Sequence, residues 1–167
     1  NAGTFSITDN SGLAQGAGTA GQFNNAATFS KTGGAGTSSI TGIQFTNSGT
    51  VNANSGVVDV AVNNTHSGLF SVTPGNALRF SAGATLAAAS TVSGAGSVDI
   101  PSGTVSVNGA YSPATTNVNG GTLNFNTAAT TIGTLNLSSG NVGGTGDLTV
   151  STDFPTTAGA FDTTYNG

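Results

Sequence analysis

A step of twenty residues is what most limits how this chain can fold. Val58-Asp59-Val60, Leu78-Arg79-Phe80 and Val98-Asp99-Ile100 each flank a charge with apolar side chains, and each follows the last by 20 positions. In a β-strand alternate residues face opposite sides, so every triplet sends two side chains inward and one outward. Recurrence at a fixed step of this size is the signature of stacked coils. Stacked in register, Asp59, Arg79 and Asp99 form an outward column of alternating charge, a structural ladder with ~4.8 Å between rungs. Val58, Val60, Leu78, Phe80, Val98 and Ile100 become one inward core stack.

Two further series keep nearly the same step. Val51, Val72, Val92, Tyr111, Ile132 and Val150 form one, and Leu86, Val105, Leu123 and Val142 the other, while Val118 and then Leu135 and Leu137 extend the triplet series. Three interleaved series mean three short strands per coil. The fold expected is all-β, a right-handed parallel β-helix (β-solenoid) of seven or eight coils with ~20 residues each. Glycine, 27 of the 167 residues, falls mostly between the apolar pairs, as in Asn54-Ser55-Gly56 and Ser138-Ser139-Gly140, where corners need positive φ. A hydrophobic fraction of 35% is low for one globular core but sufficient for a thin rod. Strict alternation with β-branched and aromatic residues argues against disorder.

The same reading divides the chain into residues 1–37, an N-terminal cap or irregular first coils; 38–152, the regular solenoid; and 153–167, a C-terminal cap or connector. Phe5 and Ile7 near one end, with Phe154, Phe161 and Tyr165 near the other, are the expected end contacts. A solenoid exposes strand edges at both ends, so self-association, or stacking on neighbouring segments of a longer chain, is the partner expected.

Charge narrows the function classes. A net charge of −4, with Lys31 and Arg79 the only basic side chains besides His66, offers no basic patch to neutralise phosphates. Nucleic-acid partners are therefore not expected. No run approaches ~20 apolar residues, so no membrane insertion is expected either. Cysteine is absent and gives no redox signal. The opening Asn1-Ala2-Gly3, without Met, is read as a processed product or a segment of something longer.

The strings Phe23-Asn24-Asn25-Ala26-Ala27-Thr28-Phe29-Ser30-Lys31-Thr32-Gly33-Gly34, Phe45-Thr46-Asn47-Ser48-Gly49-Thr50-Val51-Asn52, Gly120-Gly121-Thr122-Leu123-Asn124-Phe125 and Gly143-Gly144-Thr145-Gly146-Asp147-Leu148-Thr149-Val150 resemble the β-strand repeats of large bacterial extracellular and surface proteins. Similar strings occur in autotransporter and filamentous-haemagglutinin-like exoproteins. The resemblance spans roughly residues 20–152 and implies a parallel β-helix serving as an extracellular or cell-surface stalk, adhesin shaft or fibre. It carries over no catalytic or binding residue.

Candidate chemistry is sparse. His66, the one histidine, lies in Asn63-Asn64-Thr65-His66-Ser67-Gly68 and reads as a solvent-open corner without a triad partner. Asp59 and Asp99 are separated by Arg79, which holds carboxylates ionised instead of raising one for acid catalysis. Gly143-Gly144-Thr145-Gly146-Asp147 approaches a calcium-binding glycine-rich repeat but is incomplete and occurs once. No catalytic, cofactor or metal residue is assigned, and an enzyme is not expected. The outward residues Asn52, Asp59, Ser71, Arg79, Asp99, Ser106, Asn124, Asn136 and Thr149 read as a mixture without a threonine ladder. The function expected is a non-catalytic segment of a fibre, sheath or adhesin stalk; the alternative is a module gripping glycan or ice along one face.

Overall fold

The computed structural model describes residues 1–161 and is all-β, a parallel β-solenoid of about 8 turns with roughly 20 residues per turn. The coils rise ~4.8 Å apart, which makes a short rod. Each complete coil contributes one strand or strand segment to each of three faces.

The first face is built from Thr4–Ile7, Thr28–Lys31, Thr50–Ala53, Leu69–Val72 and the starts of Thr91–Ile100 and Ala110–Phe125, paired in that order. The second face runs through Thr37–Thr41, Val57–Val60, Ala77–Arg79, the end of Thr91–Ile100 and the middle parts of Ala110–Phe125 and Ala129–Gly144. The third pairs Gln22–Asn25 with Gln44–Asn47, and separately runs Thr65–His66, Ala84–Leu86, Thr104–Val107 and the ends of Ala110–Phe125 and Ala129–Gly144, closing on Ala160–Phe161. Residues 1–37 already supply strands to this stack, and Leu13–Ala14 pairs with Ile40 and Thr41. At the far end Leu137 bridges Thr156.

Corners are turned where glycine allows it. Gly94 has φ 125°, and a Cβ there would fall on the carbonyl oxygen of Val72 in the coil before. The strand Thr91–Ile100 therefore bends from the first face to the second with a register shift between Gly94 and Ser97.

Val58, Val60, Leu78, Phe80, Val98 and Ile100 are all fully buried in one cluster. Aromatic rings fill much of the N-terminal half: Phe5 stacks on Phe29 at 5.5 Å, Phe23 on Phe45 at 5.9 Å, and Phe70 meets Phe80 edge-on at 5.5 Å.

The columns differ from the twenty-residue reading in one consistent way. Val51 pairs with Phe70, not Val72, which lies beside Ala53. Val98 pairs with Thr116, and Val118 stacks on Ile100. Val105 pairs with Ala84, while Leu86 stacks on Val107. Each slip is two residues, because corner lengths vary and the first-face step runs 24, 22, 19, 22 and 19 from Phe5 to Tyr111. A slip of two preserves the facing of every side chain, so burial survives where the column assignment does not.

Candidate functional faces, buried polar residues and ends

The second face carries the charge. Ser39, Asp59, Arg79, Asp99, Asn117 and Asn136 stand one above another on six successive coils. Arg79 Nη2 lies 3.7 Å from Asp99 Oδ2. Asp59 is instead satisfied by hydroxyls: Ser81 donates to Oδ1 at 2.7 Å and Ser39 to Oδ2 at 3.4 Å, and the residue is buried. Asn117 donates to Asp99 Oδ1 at 2.7 Å, and Asn136 to Asn117 Oδ1 at 2.6 Å. Side-chain amides thus extend the ladder beyond the charges, each donating to the rung before it.

The first face has a different surface. Its outward columns are Thr4, Thr28, Thr50, Leu69, Thr91, Ala110 and Ser6, Ser30, Asn52, Ser71, Ser93, Ser112. Over these six coils neither column contains a charge. The outward mixture expected from the sequence arises partly from pooling faces: Asp59, Arg79 and Asp99 all belong to the second face, while the first face is uncharged until Asp147 in its last strand. The pairing of Ala110–Phe125 with Ala129–Gly144 begins only at Thr115 and Thr134. Ahead of that point the first face opens into a shallow cleft of about 410 Å³, bordered by Asn108, Ser112, Thr127 and Thr131. Pro113, which has no N–H to give, follows Ser112 in the same strand, just ahead of where that pairing begins. Tyr111 also lines the cleft, but its hydroxyl lies 3.2 Å from Thr116 Oγ1 in the interior, and burial pushes its phenol up.

Among the buried polar residues, Asn25, Asn47, His66 and Lys31 stand out. Asn25 donates to Asn47 Oδ1 at 2.8 Å and receives Asn1 at 2.8 Å, an amide ladder inside the corner between the third and first faces. The backbone N–H of Asn47 donates to Nδ1 of His66 at 3.2 Å. His66 is the correction to the sequence reading: it is fully buried, paired with Leu86 in the next coil and packed among Phe45, Phe70 and Phe80. With Nδ1 accepting, Nε2 carries the proton and has no hydrogen-bond partner. Burial pulls its pKa down to about 4, so the ring is neutral and closed to solvent.

Lys31, which entered the sequence reading only as a charge and within a repeat string, is also interior. It stands between Ile7 and Ala53 on an inward column and is fully buried. Its Nζ donates to the carbonyl oxygens of Asp9 at 2.6 Å, Gly33 at 2.6 Å and Gly34 at 2.8 Å, and lies 3.4 Å from Asn10 Oδ1. Both inward placements had a signal. Lys31 shares the parity of Phe29, and His66 lies twenty residues before Leu86.

At the ends, Phe5 and Phe23 cross edge-to-face at 5.2 Å, and Ile7 is buried beside Lys31. Phe154 and Phe161 cross at 4.9 Å and are exposed. Phe161 pairs with Val142, on the inward column of the third face. Tyr165 lies outside the described residues. Compared with protein-family models, curated proteins and solved structures, the chain matches none of them.

Proposed function

We propose that the chain is a non-catalytic structural segment of a bacterial extracellular fibre, sheath or adhesin stalk that assembles end to end. In this reading it belongs with the repeat regions of autotransporter and filamentous-haemagglutinin-like exoproteins. The observation that carries the reading is the continuity of the inward columns into both terminal coils. Phe5, Ile7 and Phe23 line the first coil, and Leu148 and Val150 the last. One coil stacks on the next by parallel backbone ladders and apolar contact, and each end offers both. A head-to-tail contact that does not close on itself makes an open filament.

A second reading is favoured by one observation, the double column of mostly hydroxylated residues on the first face, uncharged over its first six coils and carrying Asp147 in the last. A regular uncharged array of this kind suits a flat, hydroxylated partner, a glycan or ice. Electron microscopy of the purified chain tests the first reading: filaments of the rod's width are expected, and isolated particles at every concentration overturn it. Thermal hysteresis that disappears on Ser71→Lys would instead favour the second.

A further inference from the structure

We propose that Lys31 and Asn10 join in an intramolecular isopeptide bond that staples the first coil to the second. The proposal goes beyond the stalk reading and does not depend on what the rod touches.

The nucleophile is placed by the fold. Lys31 enters from the strand Thr28–Lys31, and Nζ is pinned by the Asp9, Gly33 and Gly34 carbonyls beside the Asn10 amide oxygen, 3.4 Å away. It is the chain's single lysine and is fully buried. Burial lowers its pKa, which raises the share of the neutral amine. The electrophile is prepared as well. The backbone N–H of Gly36 donates to Asn10 Oδ1 at 2.8 Å, so it polarises the side-chain carbonyl and would hold the oxyanion of a tetrahedral adduct. Glycine at 34 leaves the space that Asn10 uses, since a Cβ there would fall on Oδ1. Asn10 itself is at the surface, so a leaving group has a path to water. Asp9 is the neighbouring acid, close enough for its charge to act on Lys31.

The step balances without a co-reactant. Nζ, held as an ammonium by the three carbonyls, first gives one proton to solvent; its lone pair then attacks Cγ of Asn10 and forms the C–N bond. A proton from Nζ passes to Nδ2. The Cγ–Nδ2 bond then breaks and ammonia leaves, so that an amine and a primary amide become a secondary amide and ammonia. The link spans 21 residues and ties the corner after Thr4–Ile7 to the coil stacked on it.

The test is the intact mass of the folded chain after incubation at neutral pH, followed by fragmentation. One ammonia is expected to be missing, with a fragment joining Asn10 to Lys31. Asn10→Asp should lose one water instead, while Lys31→Met and Asn10→Ala keep their full mass. Asn10→Ala leaves the three carbonyl contacts of Lys31 in place, which separates a failed bond from a failed fold. Full mass in the natural chain, with Lys31 acylated by an amine reagent after unfolding, overturns the proposal. So does an ammonia loss that persists in Lys31→Met.

Discussion

Acid should loosen this rod through one buried ring. His66 is held neutral at a pKa of about 4, against an ordinary 6.5, with burial the cause. The unfolded chain therefore takes up a proton near pH 6.5 that the folded chain refuses until about 4. The folded pKa lies below the unfolded one, so stability is undiminished above pH 6.5, falls as pH drops through that window, and levels off near 4. At ~1.4 kcal/mol per pH unit the full loss is about 3 kcal/mol. The groups packed on the ring are Phe45, Phe70 and Phe80, and its one hydrogen bond comes from the Asn47 backbone. Asp9, whose pKa is lowered by the Ser11 N–H and hydroxyl, loses its contribution only below 3.8 and lies outside the window. Denaturant melts across this range measure the slope. His66→Leu should remove it, at a cost of about 1 to 3 kcal/mol at neutral pH for the unpaired Asn47 N–H. A flat stability profile in the natural chain, or a slope unchanged in His66→Leu, would refute the reasoning.

Three other perturbations have calculable outcomes. Phe80→Asp puts an unpaired charge and a void in the aromatic stack, and chemical denaturation should report a loss of several kcal/mol. Arg79→Ala removes only a partly exposed ion pair, and the melting curve should move by no more than about 1 kcal/mol. Gly94→Ala meets both a positive φ and the Val72 carbonyl, so thermal melting should show a loss of about 1 to 3 kcal/mol where an ordinary surface alanine shows almost none.

Architecture was legible in the sequence because the repeat and the two-residue alternation are both written in side chains. The triplets around Asp59, Arg79 and Asp99 share one column because the corners between them keep the coil at twenty residues. Elsewhere the corner lengths change, and apolar identity alone cannot tell Phe70 from Val72 or Thr116 from Val118, since both members of each pair face inward. Polar interior residues were the harder part. Lys31 and His66 look like surface residues by type, and only their parity and spacing mark them as inward. What makes them tolerable is backbone: three carbonyls around Nζ and one N–H at Nδ1, groups that no composition reveals. The uncharged run of the first face over its first six coils likewise appears only once the strands are sorted by face.

The most direct test of the stacking account joins two copies at their ends. Ser6 and Thr149 occupy the same outward position on the first face, Ser6 in the first coil and Thr149 in the last. If a second copy continues the stack, these residues become neighbours across a parallel pair, with Cα atoms ~5 Å apart and within disulfide range. A chain carrying both Ser6→Cys and Thr149→Cys should form a ladder of covalent oligomers on mild oxidation, dissolved by reductant and absent from either single variant in excess of dimer. Monomers alone, from folded protein at high concentration, would contradict end-to-end assembly.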